Sequence, residues 1–338
     1  MIIKGCKLTN FRSHDFFELK CWKETTMISG ENGGGKTSIL EAIYEALCGK
    51  SFRAVDREIL KRGAEFYRVE LDYVDGEKIV VVYEKNGKKT FLVGDKKTAR
   101  LPKKYRYPVV LFEPDDLNLV DSSPSHRRDY FDRSFGQLSD RYSISLSKYN
   151  KVLKQRNELL KKDYVDENVM FSWNVMLARL GVEIWRYRIE QVKKINERLT
   201  EVYRSIAENN DNVEVSLVRD TGVMNESEYL KELERGFGRD RVLGYTGFGV
   251  HRDNYEFKFN GAEASGSASR GEVRSIVIAL KFIEADMILA ITGKAPVVLL
   301  DDVFSELDEM RQKALVYNFK KNQVIITSVN AVEDIETS

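Results

Sequence analysis

A glycine-rich octapeptide near the start of the chain constrains the fold more than any other feature. Residues 30–37 read Gly-Glu-Asn-Gly-Gly-Gly-Lys-Thr and fill every fixed position of the phosphate-binding pattern G-x-x-x-x-G-K-[ST]. A strand-like run precedes them at 25–29, and a helix-like run follows at 37–47. In that setting the backbone N–H groups and the helix N-terminus point at phosphate oxygens. The pattern therefore predicts an α/β fold with a nucleotide site, rather than an accidental glycine-rich turn.

The loop residues have separate expected roles. Lys36 should reach the β- and γ-phosphates and serve catalysis, and the Thr37 hydroxyl should be a ligand of Mg²⁺. The cofactors predicted from this loop are ATP and Mg²⁺. The residues expected to bind the nucleotide here are Gly30, Glu31, Asn32, Gly33, Gly34, Gly35, Lys36, Thr37 and Ser38.

Composition excludes several classes of protein. Hydrophobic residues make up 42% of the chain and charged residues 32%, which fits a folded domain rather than a disordered one. The net charge of +1 means that a nucleic acid would have to be held by local basic patches. Three scattered cysteines do not have the spacing of a disulfide framework or a zinc site. The most apolar stretch, 276–291, is interrupted by charged residues, so we expect a cytoplasmic protein with no membrane span.

Hydrophobic periodicity divides the chain into a core and an insertion. Runs at 67–73, 78–83 and 89–93 are strand-like and are separated by Asp-Gly and Asn-Gly turns, which predicts an antiparallel meander. Apolar residues from 126 to 202 instead recur in steps of three and four, as in helices. We therefore predict an ATPase core (lobe I) from residues 1–110 and 245–338, with a mostly helical insertion (lobe II) at 111–244.

A second element of the nucleotide site is predicted near the end of the chain. Residues 296–302 form a buried-strand pattern that ends in two carboxylates, Asp301 and Asp302. Downstream of a phosphate-binding loop this pattern indicates a Walker B strand. Asp301 is then expected to hold Mg²⁺, and Asp302 is expected to be a catalytic residue that orients the attacking water.

Two short motifs flank this strand. Residues 268–275 include Ser269 and Gly271 at the start of an apolar helix, and resemble the signature motif of ABC-type ATPases. Residues 305–308 resemble the D-loop of the same family. The resemblance implies an α/β head of ABC type that dimerises on ATP. In such a dimer Ser269 and Gly271 would contact nucleotide held by the second copy.

Taken together, the motifs along nearly the whole chain resemble those of the RecF family, bacterial recombination-mediator ATPases related to SMC heads. The matching segments are 8–12, 40–44, 51–53, 112–117, 127–132, 149–157, Trp173, 249–253 and 299–308. The resemblance implies Arg12 as a further nucleotide-binding residue. It also implies an ATP-dependent homodimer that acts at gapped or junction DNA in recombinational repair, with RecR and RecO as partners.

Departures from the general ABC pattern predict slow turnover. The usual signature glutamine is Glu272, and the usual catalytic glutamate is the shorter Asp302. No switch histidine follows the strand-like run 323–327, so Thr327 or Ser328 would have to substitute for it. We therefore expect an ATPase that works as a timer rather than a motor.

Two groups of basic residues are candidates for duplex contacts, because such contacts are mostly made by Lys and Arg to phosphates. One group follows the first helix, and the other lies around the turns of the meander. The alternative to DNA contact is that these residues form an ordinary solvent-exposed surface. The candidate DNA-binding residues are Arg53, Arg57, Lys61, Arg62, Lys88, Lys89, Lys96 and Lys97, with Lys85, Arg100, Lys103, Lys104 and Arg106 nearby.

Other charged residues have open roles at this stage. Arg127 and Arg128, near Asp132, fit either DNA contact or an internal ion-pair network. His251 and Arg252 fit either the nucleotide site or a brace for a sheet, and His251 lacks partners at metal-ligand spacing.

Three rival functions remain to be weighed. A structural SMC-like head would need long heptad arms, and a nuclease-coupled defence ATPase would need a carboxylate-rich nuclease domain; neither pattern is present. A small-molecule kinase would need an acceptor pocket but neither a signature motif nor a D-loop. ATP-dependent self-association would separate the proposed clamp from the kinase.

Overall fold

The computed structural model describes residues 2–21, 24–94, 96–219, 222 and 225–329. In these ranges strands β1 to β13 span Ile3–Phe11, His14–Lys20, Thr25–Ser29, Phe66–Tyr73, Lys78–Glu84, Lys89–Val93, Lys96–Thr98, Val109–Phe112, Val213–Val218, Asn254–Phe259, Ala262–Glu263, Val297–Asp301 and Val324–Ser328. Helices α1 to α10 span Lys36–Cys48, Asp56–Ile59, Pro124–Leu138, Asp140–Leu160, Glu167–Ala207, Glu226–Arg235, Phe237–Leu243, Ala264–Ser267, Arg270–Thr292 and Glu309–Asn318. The chain forms two compact units, Met1–Leu117 with Glu284–Ser338, and Asn118–Ile283.

The first unit contains two sheets. Strands β3, β13, β12 and β8 form a parallel sheet in that order. Strands β2, β1, β4, β5, β6 and β7 form an antiparallel sheet, and its β4–β5–β6 portion is the predicted meander. Strands β8, β12 and β13 of the parallel sheet are mostly apolar and are buried at every position, as expected for strands that are covered on both faces.

Helix α1 lies in the core of this first unit. Its residues from Ser38 to Leu47 are all buried, and the apolar ones among them belong to one apolar cluster with side chains of both sheets. A helix that is apolar nearly all round has to be buried in this way. Gly35 and Gly49 flank α1, and both have the left-handed backbone conformation that glycine adopts most easily. The phosphate-binding pattern thus enters the most buried helix of the unit.

The second unit combines long helices with a small sheet. Helix α5 has 41 residues, which corresponds to about 60 Å of helix, and it packs on α4, α6 and β9. Its side chains fall on a buried stripe at helical spacing that includes Leu177, Trp185 and Leu199. Strands β9, β10 and β11 form an antiparallel sheet, in which Phe259 of β10 pairs with Val213 of β9. The guanidinium of Arg156 is fully buried inside this unit.

The boundaries of the units differ from those predicted for lobes I and II. The first unit continues to Leu117 rather than to residue 110, and it resumes at Glu284 rather than at residue 245. The predicted strand at 254–259 exists as β10, but its neighbour is β9 of the insertion rather than a strand of the core. The sequence pattern identified the strand but could not identify its partner, because alternation reports which face is buried and not which strand lies alongside.

In the ranges given above, no helix is both long enough and apolar enough to cross a membrane.

Candidate functional site

The phosphate-binding loop occupies the turn between β3 and α1 in the first unit. Strand β3 ends at Ser29 and α1 begins at Lys36. Gly33 and Gly35 both have φ of +83°, a conformation in which other residues are strained. A Cβ on Gly35 would lie 2.4 Å from His14 Nε2 and 2.9 Å from Ser13 Oγ. The backbone conformation therefore requires the glycine, and a side chain at this position would also have to displace the side chains of Ser13 and His14.

Lys36 is folded back over this loop. Its ammonium group donates hydrogen bonds to the carbonyl oxygens of Gly30 at 2.7 Å and Glu31 at 3.0 Å, and the side chain is buried. The loop thus holds a positive charge next to its own backbone. This arrangement fits an anion site, because the helix N-terminus adds partial positive charge at the same place.

Thr37 connects the loop to the end of β12. Its hydroxyl donates to Asp301 Oδ1 at 2.9 Å, and the hydroxyl of Thr327 on β13 donates to the same oxygen at 2.8 Å. Burial raises the pKa of Asp301, and the hydrogen bonds from Thr327 and Thr37 oppose that rise. The fold therefore brings together the two predicted metal ligands, which are 264 residues apart in the sequence.

Asp302 follows β12 with an unusual backbone. Its φ is +54°, in the left-handed region that Asp tolerates better than most residues but that still costs free energy, roughly 1 kcal/mol. Among the described residues, its Oδ1 is buried and has no hydrogen-bond partner. Strained residues and unpaired buried polar atoms concentrate at functional sites. Both observations fit the predicted role of Asp302 beside a reacting water.

The donor set at the loop fits Mg²⁺. Mg²⁺ in nucleotide sites is held by one or two carboxylates and hydroxyls, together with substrate phosphates and water. Asp301 and Thr37 supply one carboxylate and one hydroxyl at the phosphate loop. No group of three or more His, Cys, Asp or Glu side chains that could hold a metal alone occurs in the part of the chain that the structure describes. A site completed by nucleotide phosphates is consistent with both facts.

A buried carboxylate in α1 organises two arginines next to the loop. Glu41 is fully buried and accepts two hydrogen bonds from Arg12, at 2.9 and 2.7 Å, one from Arg53 at 3.0 Å and one from Ser51 at 2.7 Å. Burial alone would raise the pKa of Glu41, but the hydrogen bonds from Arg12, Ser51 and Arg53 outweigh it and lower the pKa. Arg53 also donates to Ser38 Oγ at 3.3 Å. Two guanidinium groups around one carboxylate leave a net positive charge beside the loop.

The signature segment begins helix α9 with a capping box. The Ser269 hydroxyl accepts the N–H of Glu272 at 3.3 Å, and the Glu272 carboxylate accepts the N–H of Ser269 at 2.6 Å. Ser269 is exposed and Gly271 is half-buried. The glutamate at this position, predicted as a departure from the signature pattern, thus has a local structural role. In the D-loop segment, Ser305 donates to the carbonyl of Asp302 at 2.7 Å, and Asp308 caps α10.

The candidate DNA-binding residues separate into two classes. Arg53 is paired with Glu41, and Lys89 is paired with Glu45 at 2.5 Å and Asp56 at 2.6 Å, with a side chain only 14% exposed. Lys61 is paired with Asp15 at 2.6 Å. The members of the other class have exposed side chains in the first unit: Arg57, Arg62, Lys88, Lys96 and Lys97. Charge in the sequence could not separate the classes, because the carboxylate partners are distant along the chain.

The residues left open by the sequence lie in the second unit. His251 is bonded to the Tyr149 hydroxyl and the Thr246 carbonyl, both at 2.9 Å, and burial lowers its pKa to about 4. Arg252 also donates to the Thr246 carbonyl. These contacts brace the turn before β10.

The two arginines of α3 have the same bracing role. Arg127 donates to Asn254 and to the carbonyls of Val120 and Ser122, and Arg128 donates to the Asp253 carbonyl. Asp132 forms its ion pair with Arg188 of α5 at 2.8 Å. These residues therefore form an internal polar network. The cation that pairs with Asp132 is Arg188, which lies on α5 further along the chain.

Sequence reasoning missed or under-weighted three residues of the site. His14 Nε2 lies 3.1 Å from the Gly35 carbonyl oxygen, and the sequence contains no pattern that joins a β-turn histidine to the loop. Glu41 could have been suspected, because a charged residue inside an otherwise apolar helix needs a partner. The sequence predicts Thr327 only as a substitute for a switch histidine, whereas its side chain hydrogen-bonds to both Asp301 and Asp302.

Comparisons with known proteins identify the relatives of this chain. A family model described as an AAA domain matches residues 6–232. A DNA replication and repair protein RecF of Clostridium acetobutylicum is 34% identical over 344 residues, covering 99% of this chain and 94% of that protein.

Solved structures give the same result for the fold. A structure described as the recombination mediator protein RecF with ATP in the RecFOR pathway superposes with a TM-score of 0.87 at 27% identity, covering 98% of this chain and 93% of that one. An Smc head bound to the C-terminal winged-helix domain of ScpA superposes with a TM-score of 0.55 at 16% identity over 98% of this chain and 91% of that one, a likeness of fold alone. The predicted fold class, an ABC-type P-loop ATPase head with an antiparallel meander and a mostly helical second lobe, is confirmed.

Proposed function

The chain belongs to the RecF family of DNA replication and repair proteins, and on that premise we propose that it is an ATP-driven DNA-binding protein of recombinational repair. ATP binding would close a homodimer on gapped or junction DNA, and slow hydrolysis would release it. The observation that carries the proposal is the hydrogen bond between Thr37 and Asp301. It joins the phosphate loop to a carboxylate at the end of a parallel strand, which is the donor pair that a nucleotide-bound Mg²⁺ needs.

The geometry of the site supports a separate role for each residue. Lys36 and the loop N–H groups bind the phosphates, and Thr37 and Asp301 hold Mg²⁺, which when bound would neutralise charge that develops on the transferred phosphoryl group. Asp302 positions the attacking water with its Oδ1, which has no hydrogen-bond partner within the described part of the chain. Its side chain is one methylene shorter than glutamate, so we propose slow turnover. Arg12 carries positive charge next to the loop, in contact with Glu41.

The dimer and the DNA contacts are the less direct part of the proposal. Ser269 is exposed at the start of α9, which supports a role for it and Gly271 at nucleotide held by a second copy. The exposed residues Arg57, Arg62, Lys88, Lys96 and Lys97 are proposed to contact DNA phosphates. RecR and RecO are proposed partners, because a structure similar to this chain is described as a mediator in the RecFOR pathway.

The test is DNA binding by the Asp302→Asn variant on gapped duplex, with and without ATP and Mg²⁺. The amide should leave ATP binding intact and block hydrolysis, so DNA binding should become tighter and persistent only with ATP. Lys36→Ala should remove the effect of ATP. Asp121→Asn, at an exposed aspartate of the second unit, controls for the charge change.

Other outcomes would support the rivals. Equal and weak DNA binding with and without ATP, in a variant that still binds ATP, would contradict the clamp and favour a structural head. Phosphorylation of a small acceptor by the wild-type protein would favour a kinase. Sedimentation of the Asp302→Asn variant with ATP tests dimerisation separately from DNA.

A further inference from the structure

Thr327 is the residue around which the two carboxylates of the Walker B strand are arranged. It lies on β13, where it pairs in register with Asp301 of β12, and it is fully buried. Its hydroxyl oxygen is 2.8 Å from Asp301 Oδ1 and 3.0 Å from the amide nitrogen of Asp302. One side chain thus contacts both residues proposed to act on the metal and the water.

The donor and acceptor roles in this contact are fixed by chemistry. The Asp302 N–H can only donate, so the Thr327 oxygen accepts there. Its single proton is then given to Asp301 Oδ1 at 2.8 Å, the nearest acceptor, with the Leu300 carbonyl at 3.4 Å as the longer alternative. The hydroxyl therefore forms a bridge of defined direction, from the peptide of one aspartate to the carboxylate of the other.

The bridge ends at the strained residue of the site. Asp302 has a left-handed backbone, and such a residue persists only where its surroundings hold it. Three contacts are present: the Asp302 N–H also donates to the Thr327 carbonyl at 3.2 Å, and the Asp302 carbonyl accepts from Ser305. The Thr327 hydroxyl is the one of these contacts that also holds Asp301.

We infer that Thr327 is a positioning residue for ATP hydrolysis, which fixes the Asp302 carboxylate relative to Asp301. This inference rests on the proposed ATPase function. Thr37 donates to the same Asp301 oxygen, but its own oxygen is a proposed metal ligand, so its bond to Asp301 depends on what the loop binds. The Thr327 hydroxyl is not a proposed metal ligand, so its bonds to Asp301 and Asp302 do not have to break when the metal binds.

The experiment compares Thr327→Val with Thr327→Ser. Valine keeps the shape and the backbone bond to Asp302 but removes the hydroxyl, whereas serine retains the hydroxyl. We expect Thr327→Val to lower kcat by roughly 10- to 100-fold, because small misplacements of a catalytic group have effects of that size. The KM and the Kd for ATP should stay within about two-fold of wild type, and Thr327→Ser should recover most of kcat.

A readout without nucleotide tests the bridge directly. Amide hydrogen exchange of a peptide that contains residues 301–305 should be faster in Thr327→Val than in wild type or Thr327→Ser. Thr90→Val, at a buried threonine on β6 of the same unit, controls for loss of a buried hydroxyl and should leave kcat unchanged. Thr327→Ala is the second variant if valine, next to a carboxylate, prevents folding.

The outcomes separate this inference from the proposed function. Unchanged kcat in Thr327→Val, or failure of Thr327→Ser to recover kcat, would overturn the inference. Loss of hydrolysis in Asp302→Asn would still support the proposed ATPase function in that case. Parallel loss of kcat and ATP affinity would also overturn it, since that pattern indicates a general structural role. Wild-type protein that does not hydrolyse ATP would instead contradict the proposed function.

Discussion

In the second unit the guanidinium of Arg188 is 1% exposed and has all its nitrogens engaged, whereas in the first unit the carboxylate of Asp302 keeps a buried oxygen without a partner among the described residues. Arg188 donates to both carboxylates beside it, at 2.8 Å to Asp132 and 2.6 Å to Asp253. It also donates to the Tyr142 hydroxyl and the Val250 carbonyl. Every nitrogen of this buried guanidinium is therefore hydrogen-bonded to another group of the protein.

The nucleotide site of the first unit has the opposite character. Lys36 donates to backbone carbonyls rather than to a carboxylate, and Arg12 and Arg53 share the one buried carboxylate of Glu41. The buried Oδ1 of Asp302 also lacks a hydrogen-bond partner among the described residues, so the polar groups of this site are not all paired with one another. A buried network in which every polar group is paired stabilises the fold, whereas a buried polar atom without a partner calls for a functional explanation. Buried charge by itself thus does not identify a site, whereas an unpaired buried polar atom next to the phosphate loop points to one.

Removing the cation from the closed network gives the largest expected effect. Arg188→Met would leave Asp132 and Asp253 buried without their shared partner, so we expect a loss of about 3–5 kcal/mol in the free energy of unfolding. Urea denaturation measures this free energy of unfolding. Arg235→Met, at an exposed arginine of the same unit that pairs with Glu232, is the control and should cost about 0–1 kcal/mol. A loss in Arg188→Met as small as the control's would show that the network contributes little to folding.

Acid should weaken the second unit through His251. Its pKa is lowered to about 4 from an ordinary value of 6.5, mainly by burial. Between these two values the unfolded chain binds a proton that the folded protein does not, so stability falls as the pH drops from 6.5 towards 4, by about 3 kcal/mol at most.

Denaturation midpoints between pH 7.5 and pH 5 test this prediction. The wild type should lose more stability than His251→Gln over that range. Tyr149→Phe, which removes a hydrogen bond of His251 but keeps the imidazole buried, should retain the wild-type slope. Identical slopes in the wild type and His251→Gln would mean that the imidazole does not control acid stability.

The sequence predicted the parts of the site that depend on local chemistry. The loop at 30–37 and the strand that ends at Asp301 were identified because glycines, a lysine and a buried run with terminal carboxylates have meaning within a short window. The sequence did not predict which cations are neutralised internally. Arg53 and Lys89 looked like candidates for DNA contact, but the structure pairs them with Glu41 and with Glu45 and Asp56.

The sequence was equally limited in predicting where the chain passes from one unit to the other. The alternating run that became β10 was predicted as a strand of the core, yet it pairs with β9. Pairing between distant segments is decided by packing of the whole unit, and a local pattern carries no information on it. The bridging role of Thr327 is a fact of the same kind, since its partners are 25 and 26 residues away.

The smallest effect that we predict is a pH response of opposite sign in the first unit. Burial raises the pKa of Glu45 to about 6 from 4.5, although Lys89 and Tyr67 oppose the rise. Between these values the folded protein binds a proton that the unfolded chain lacks, so the contribution of Glu45 to stability falls by about 2 kcal/mol as the pH rises from 4.5 to 6. Among the described residues its Oε2 is buried and has no hydrogen-bond partner, which adds to the cost of burying the charged form.

Glu45→Gln should therefore gain stability relative to wild type as the pH rises from 4.5 to 6, which denaturation at several pH values measures. Glu41→Gln is the matched control on the same helix: its pKa is lowered, so its titration lies below this range, and this variant should keep the wild-type slope while losing stability overall. If both variants changed the slope equally, the response would belong to the helix rather than to Glu45. Opposite slopes from Glu45 and His251 would instead show that these two buried groups contribute separately to the acid response.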